Sequence, residues 1–190
     1  MIVEESILEG CIEGKREAQY ELYKKFASSM LALCFRYAKS KAEAEDFLQE
    51  GFLKVFQKIR SYRKEGSFEG WIKRIMINNA LNHIKKNRKI PFHEDIDLIN
   101  ERQIVNLEEV EGTLDPVPEI VLQEMIHSLP EGYRIVFTLY VVENFSHKEI
   151  AADLNITEST SKTQLLKARR YLKNKLNEYY STRKHKLVNE

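Results

Sequence analysis

The chain has 190 residues and a formal net charge of +1, and 43% of its residues are hydrophobic. This length allows one or two small domains, each with a packed core. Only 7 glycines and 4 prolines occur, which favours an all-α fold over a hairpin-rich sheet protein. Membrane insertion, a signal peptide and a metal site are not expected, because the apolar runs are short and Cys11 and Cys34 lack metal-ligand spacing. The composition therefore predicts a cytoplasmic helical protein without a metal or cofactor.

The charged residues are segregated along the chain. Residues 1–91 contain 18 basic and 12 acidic residues, residues 92–119 contain 1 and 9, and residues 120–190 contain 11 and 8. The acidic segment has no sustained helical period and ends near Pro116 and Pro118, which is typical of a linker with at most short helical turns, although a simple solvated spacer explains it equally well. We predict one domain at residues 1–91, an acidic linker at 92–118, a second domain at 119–180 and a basic polar tail at 181–190.

The first block has apolar residues at three- and four-residue spacing, which predicts four helices. We place these helices at residues 2–26, 28–38, 41–59 and about 69–87. In the third helix, Asp46, Gln49 and Glu50 lie together on the side opposite the apolar stripe. Taken alone, these three residues would form an ordinary solvated face. The sequence shows no local salt-bridge partner for them, although pairing with a nearby lysine or arginine is left open.

The loop before the fourth helix combines aromatic and basic residues. It contains Tyr62, Arg63, Lys64, Ser67 and Phe68. The helix that follows has a polar and basic stripe that consists of Arg74, Asn78, Asn82, Lys85, Lys86 and Arg88. Aromatic faces can stack on unpaired bases while cations hold the backbone, so this region suits single-stranded nucleic acid. For Trp71 we favour core packing over base stacking.

Residues 146–176 have the pattern of a helix-turn-helix. Ser146 and Glu149 form a predicted capping box, and Asn155 is suited to the left-handed conformation at a helix end. Thr157 can cap the second helix, whereas His147 is simply the first residue of the first helix. A short helix, a tight turn and a second helix are typical of DNA-binding modules.

The second of these helices has one apolar and one basic face. Ser161, Leu165, Ala168, Leu172 and Leu176 are predicted to pack inward. The opposite face has hydroxyl groups, cations and one exposed leucine, and its residues are Ser159, Lys162, Thr163, Leu166, Lys167 and Arg170. In a DNA-reading helix, residues near the N-terminus contact base edges and cations further along contact phosphates, and Leu166 could contact a thymine methyl group. The alternative is a solvated basic helix of some other all-helical domain.

Two segments together resemble a known protein family. DFLQEGFLKVF, followed by Ser67, Phe68, Trp71 and a basic helix, resembles region 2 of the sigma-70 family of RNA polymerase sigma factors. The segment from LPEGYRIVF through SHKEIAADLNITESTSKTQLLKARRYL resembles region 4 of the same family. Only a short linker joins the two segments, as in the extracytoplasmic-function (ECF) group. The resemblance extends from about residue 20 to residue 176.

This resemblance implies a role for each residue set described above. The chain would bind core RNA polymerase, recognise promoter −35 and −10 elements and assist promoter opening, without catalysis of its own. Asp46, Gln49 and Glu50 would contact the clamp of the largest subunit, and the loop and stripe of the first block would contact the −10 element. The exposed face of the second helix-turn-helix helix would contact the −35 element. The helix at residues 130–143 would help to bind the flap of the second-largest subunit, and the acidic linker would pass through the RNA channel.

Three positions depart from the commoner family pattern, and one further partner is possible. Gly51 stands where many ECF members have an apolar residue, Asn155 where glycine is common and Ser161 where valine or isoleucine is usual. The substitution at Ser161 predicts a recognition helix that is less tightly held. Many ECF members are controlled by an anti-sigma factor, so such a partner is possible here.

Two other classes of protein explain the sequence less completely. A dimeric activator or repressor would explain the helix-turn-helix but not the aromatic loop or the polar face with Asp46. An enzyme is disfavoured because the sequence has no glycine-rich phosphate loop, no metal spacing among its five histidines and no nucleophile motif.

Overall fold

The computed structural model describes residues 2–87 and 116–188. Contacts divide these residues into two compact units, one in each range. The predicted linker up to residue 115, together with Arg88, lies outside the described residues. The described residues are helical with no strand, which confirms the predicted all-α fold.

The first unit has four α-helices. They are α1 (Ile2–Ile12), α2 (Arg16–Phe35), α3 (Lys41–Lys58) and α4 (Phe68–Asn87), and a 3-10 turn (Ile59–Ser61) follows α3. The second unit contains α5 (Glu119–His127), α6 (Glu131–Phe137), α7 (His147–Leu154) and α8 (Glu158–Val188), with a π-helical turn (Thr138–Val142) after α6. Helix α8 therefore continues through most of the segment predicted to be a polar tail.

The first two predicted helices have the wrong boundaries. We expected one helix at residues 2–26 and another at 28–38, but the break lies between Ile12 and Arg16. Gly14 has φ +80°, a left-handed conformation that ends α1 and that glycine adopts without strain. Helix α2 then continues past Ser29, whose hydroxyl donates to the carbonyl of Phe26 at 3.1 Å. That local hydrogen bond satisfies the serine within the helix, so no break is needed there.

The core of the first unit lies between α2, α3 and α4. Its fully buried side chains include Leu22, Met30, Phe47, Ile72 and Met76. Gly51 of α3 also lies in this core, and a Cβ atom at this position would lie 2.2 Å from the sulfur of Met76. The missing side chain therefore permits the close approach of α3 and α4 at this position.

A buried polar bridge also joins α3 to α4, and the sequence did not reveal it. The side-chain amide of Asn79 donates to the carbonyl of Phe47 at 2.9 Å, and Lys54 donates to the amide oxygen of Asn79. Asn79 is 1% exposed. Its polar groups are satisfied by these two partners, so the bridge fixes the packing of the two helices without an unpaired buried amide.

The core of the second unit joins α6, α7 and the first half of α8. Ile135, Leu139, Ile150, Leu165 and Ala168 are all buried in it. Leu172 and Leu176, which were also predicted to pack inward, are half-buried. The packed part of α8 therefore begins near its N-terminus and becomes more open along the helix.

Candidate nucleic-acid interface

The caps that define the helix-turn-helix are formed as the sequence predicted. The hydroxyl of Ser146 accepts from the backbone N–H of Glu149 at 3.2 Å, and the Glu149 carboxylate accepts from the N–H of Ser146 at 2.9 Å. Asn155 ends α7 in the left-handed conformation, with φ 55° and ψ 50°. The hydroxyl of Thr157 then accepts from the N–H of Thr160 at 3.0 Å and caps α8. These contacts fix where both helices begin and how the chain turns between them.

The predicted DNA-reading face of α8 is partly exposed. Ser159, Lys162 and Arg170 are exposed, whereas Thr163 and Lys167 are half-buried. Leu166 was expected to be exposed but is also half-buried. The reason is that α5, α6 and α7 all contact α8, which leaves a narrower open face than an isolated helix would have.

The inward face of α8 contains a polar residue that the sequence analysis missed. Gln164 is 6% exposed and lies between the buried residues Ser161, Leu165 and Ala168. The spacing from Ser161 to Gln164 and Ala168 is three and then four residues, which is the helical period of a buried stripe. The spacing therefore indicated an inward position for Gln164, although its side chain is polar.

His147 has contacts beyond its place at the start of α7, so its interpretation as simply a first helical residue was incomplete. Its ring stacks on Tyr140 with a centroid distance of 4.4 Å and an interplanar angle of 22°. Its Nδ1 atom lies 2.9 Å from the hydroxyl oxygen of Ser161 on α8. Burial, and secondarily the charge of Lys162, holds the pKa of His147 below its ordinary value. The ring is therefore mainly neutral at pH 7.

The aromatic-basic loop of the first unit is folded back on itself. The hydroxyl of Tyr62 donates to the carbonyl of Gly66 at 2.9 Å. Lys64 and Gly66 both have positive φ values, 59° and 89°, which let the chain reverse direction. The hydroxyl of Ser67 accepts from the N–H of Gly70 at 3.0 Å and so caps the start of α4.

Three aromatic rings of this region form one cluster, which we call the aromatic cluster: Tyr62, Phe68 and Trp71. Their centroids are 5.0 to 5.8 Å apart, and Phe68 and Trp71 are nearly parallel at 13°. All three residues are half-buried. Trp71 is therefore less buried than the predicted core packing requires, because its ring packs on Phe68 while part of its surface stays exposed.

The loop is attached to α1 by two polar contacts. The ammonium of Lys64 lies 2.6 Å from a carboxylate oxygen of Glu5, and Arg60 donates to the carbonyl of Ile12 at 3.2 Å. The hydrogen bond and charge of Lys64 lower the pKa of Glu5, and Glu5 in turn raises the pKa of Lys64. Lys64 was predicted to contact nucleic acid, and in this structure its charge is instead paired within the chain. Arg63, its neighbour, is exposed.

The polar stripe of α4 is on the surface. Arg74, Asn78, Asn82, Lys85 and Lys86 are all exposed. They recur at three- and four-residue spacing along one side of the helix. The exposed amides and cations of this stripe therefore follow the aromatic cluster along the chain. Binding of single-stranded nucleic acid uses both aromatic surfaces and cations.

The polar face of α3 borders a groove of about 460 Å³ that also receives residues of α4. It is lined by Glu43, Asp46, Phe47, Gln49, Glu50, Leu53 and His83. The expectation of no local partner was wrong for Glu50, because its carboxylate lies 2.5 Å from Nε2 of His83. Leu53, which the sequence analysis did not single out, is 60% exposed at the edge of this groove.

Comparison with known families accounts for both units. The model of sigma-70 region 2 matches residues 22–90, and that of sigma-70 region 4 matches residues 120–172. Together they cover more than half of the chain, and they match in the order that the family has. The chain therefore belongs to the sigma-70 family of RNA polymerase sigma factors.

Similar full-length proteins narrow this class to the ECF group. The chain is 28% identical over 182 residues to the ECF RNA polymerase sigma-E factor of Haemophilus influenzae, covering 92% of this chain and 96% of that protein. The protein of the same name from Escherichia coli is 25% identical, with 92% and 95% covered. The solved sigma factor RpoE of Bartonella quintana, in complex with the anti-sigma factor NepR, has the same fold, with a TM-score of 0.51 and 17% identity over 83% of this chain and 96% of that one. The chain is an ECF sigma factor, a transcription initiation factor.

Among the described helices, none combines the length and the apolar character needed to cross a membrane. No group of three histidine, cysteine, aspartate or glutamate residues could hold a metal ion within residues 2–87 and 116–188.

Proposed function

We propose that this sigma factor divides promoter recognition between its two units, with the α8 face reading duplex DNA and the first unit reading an opened strand. The observation that supports the division is the pairing of two different surfaces in one chain. One is a capped helix-turn-helix with Lys162, Lys167 and Arg170 toward one side. The other is an aromatic cluster followed by an exposed polar stripe on α4.

In the second unit, the duplex-reading residues would be Ser159, Lys162, Thr163, Leu166, Lys167 and Arg170. They lie in the first four turns of α8, where a recognition helix meets the major groove. No acidic residue occurs between Glu158 and Glu178, so this part of the helix does not repel phosphates. Cations that hold phosphates set the register of the helix, and hydroxyl and apolar groups near its N-terminus contact base edges of the −35 element.

In the first unit, the loop and α4 would hold the unpaired strand of the −10 element. Removing a base from the stack costs a few kcal/mol, so an aromatic surface must offset that cost. The half-open faces of Tyr62, Phe68 and Trp71 provide such a surface. The remaining proposed contacts are Arg63, Lys64, Ser67, Arg74, Asn78, Asn82, Lys85, Lys86 and Arg88, which supply cations and amides.

The groove between α3 and α4 would bind core RNA polymerase through the clamp of its largest subunit. Asp46 and Gln49 are exposed there, and we add Leu53 as an apolar contact at the same edge. Glu50, whose carboxylate contacts His83, would shape this surface as well as contact the partner. Specific protein interfaces combine apolar and polar contacts, and this groove offers both.

The remaining parts of the proposal rest on the family resemblance. The helix after Pro130 would help to bind the flap of the second-largest subunit, and the acidic linker would occupy the RNA channel. An anti-sigma factor would control the protein in the cytoplasm. The chain would perform no covalent chemistry, since its task is to bind and to position.

Run-off transcription with purified core polymerase tests this function directly. Fragments of the source genome would be transcribed with and without the protein, and start sites would be mapped. We expect specific transcripts only when the protein is present, preceded by a shared pair of promoter elements. A protein that binds duplex DNA tightly but yields neither transcripts nor a complex with core polymerase would instead be a dimeric regulator.

A further inference from the structure

One polar contact joins the two helices of the helix-turn-helix at their first turns. Nδ1 of His147, the first residue of α7, lies 2.9 Å from the hydroxyl oxygen of Ser161 on α8. Ser161 is fully buried, and His147 is half-buried with its ring stacked on Tyr140. This contact spans the turn at Asn155 and is part-buried between the two helices.

The position of Ser161 makes this contact important for the reading face. Lys162 and Thr163 follow it directly on α8, so a rotation of the helix at Ser161 moves both of them. A buried hydroxyl also has a directional requirement that an apolar side chain lacks, because it must meet its partner within hydrogen-bonding distance and angle. The hydroxyl of Ser161 therefore fixes the position of the imidazole of His147.

We propose that His147 is a positioning residue for DNA recognition, because its hydrogen bond to Ser161 and its stacking on Tyr140 hold the recognition helix at one angle. The proposal rests on the proposed function of α8 as the duplex-reading helix. It also revises the expectation that serine at this position would leave the helix less tightly held. A polar pair with a stacked ring replaces the apolar contact that is usual there.

The charged surroundings of His147 are consistent with a neutral ring in this role. From α8, Lys162 and Arg169 lower its pKa and Glu158 raises it, while burial is the largest influence and lowers it. Tyr140 faces it from the π-helical turn, and the charged neighbours on its own helix are Lys148 and Glu149. A neutral imidazole can either donate to or accept from a hydroxyl, so both tautomers can pair with Ser161.

The test compares two single variants with their double variant in the full-length protein. His147→Phe keeps a ring against Tyr140 but removes the nitrogen, and Ser161→Ala removes the hydroxyl. Matched controls are His127→Phe and Ser181→Ala, whose positions on α5 and distal α8 are exposed. The probe is a duplex selected by the wild-type protein from a random-sequence pool, together with the same duplex scrambled. Binding is measured at a temperature at which circular dichroism shows every variant fully folded.

We expect each single variant to lower the affinity for the selected duplex roughly three- to tenfold, which corresponds to the loss of one part-buried hydrogen bond. The double variant should bind no worse than the weaker single variant, since both changes break the same contact. Affinity for the scrambled duplex and its salt dependence should stay unchanged, because phosphate contacts do not depend on the fine angle of the helix. This loss of discrimination is the readout that a purely stabilising contact would not change.

Two results would overturn the proposal. One is an unchanged affinity for the selected duplex in both single variants, and the other is an equal loss of affinity for both duplexes, which would make His147 a phosphate contact instead. If His147→Phe does not fold, Ser161→Ala provides the same test, since alanine is well tolerated within a helix. The selected duplex does not depend on core polymerase, so a failure of run-off transcription remains distinguishable from a failure of this test.

Discussion

The helix-turn-helix and the aromatic loop are held in different ways, although we propose that both contact promoter DNA. The helix-turn-helix is fixed by two cap systems, a left-handed Asn155 and the part-buried contact of His147 with Ser161. The loop is attached to α1 mainly by the exposed pair of Lys64 with Glu5 and by one hydrogen bond from Arg60. The cap hydrogen bonds and the part-buried contact fix backbone geometry within the module, whereas a single exposed ion pair adds little stability. We therefore infer that the helix-turn-helix, the proposed reader of duplex DNA, is the more rigid of the two (the rigid reader). The loop, the proposed reader of an opened strand, is the more adaptable (the adaptable reader).

The largest effect is expected from reversing a charge on the rigid reader. Lys167→Glu should reduce −35-dependent transcription by roughly tenfold to a hundredfold, because a charge-assisted phosphate contact worth about 1.5–3 kcal/mol is replaced by repulsion. Run-off transcription from a mapped promoter measures this effect. The matched control is Lys175→Glu, further along α8, where the lysine already contacts Glu178 at 3.2 Å. Unchanged promoter activity in Lys167→Glu would show that the DNA-facing side of α8 is assigned wrongly.

A slightly smaller effect is expected from removing one aromatic ring of the adaptable reader. Phe68→Ala removes the ring that stacks on Trp71 at 5.8 Å, and stacking of a base on an aromatic ring contributes about 1–3 kcal/mol. We expect slower promoter opening, measured by permanganate reactivity of unpaired thymines, with unchanged binding of the −35 duplex. Tyr20→Ala, which truncates an exposed aromatic residue on α2, serves as the control. Loss of duplex binding together with opening would contradict the division of labour between the two units.

The groove beside α3 provides a third test, of partner binding rather than DNA reading. Asp46→Ala and Leu53→Ala should weaken binding to core polymerase by severalfold to about thirtyfold, since few interface residues contribute more than about 2 kcal/mol. Because both side chains are exposed, the midpoint of thermal unfolding should change little. Affinity is measured by fluorescence anisotropy of labelled protein titrated with core enzyme. Lower thermal stability with normal affinity would make these residues structural.

The sequence revealed the rigid reader more completely than the loop or the groove, for a physical reason. Caps are local: Ser146 with Glu149 and Thr157 with Thr160 are three residues apart, so spacing alone predicts them. The contacts that were missed join distant positions, such as Glu50 with His83, Lys54 with Asn79 and His147 with Ser161. The periodicity of one helix predicts which face is buried, but not which residue of a second helix contacts it. The break at Gly14 was missed because apolar spacing continues on both sides of it.

The smallest effect is expected where the adaptable reader is attached to α1. Glu5→Gln removes the carboxylate that pairs with Lys64 at 2.6 Å and leaves the lysine free to meet a phosphate. We expect at most about a twofold gain in affinity for a single-stranded −10 oligonucleotide at low salt, with a steeper salt dependence by roughly one ion. Glu21→Gln, an exposed acid on α2, should change neither quantity.

The pH dependence of this same contact distinguishes an attachment from a chance proximity. Lys64 lowers the pKa of Glu5 below its ordinary value, so the carboxylate is charged and paired at neutral pH. The contribution of the pair is present above the ordinary pKa of 4.5 and is lost as the pH falls through the lowered pKa. Wild-type protein should therefore approach the Glu5→Gln variant in oligonucleotide affinity only at acidic pH. If the two proteins bind equally at pH 7, Glu5 does not compete with DNA for Lys64.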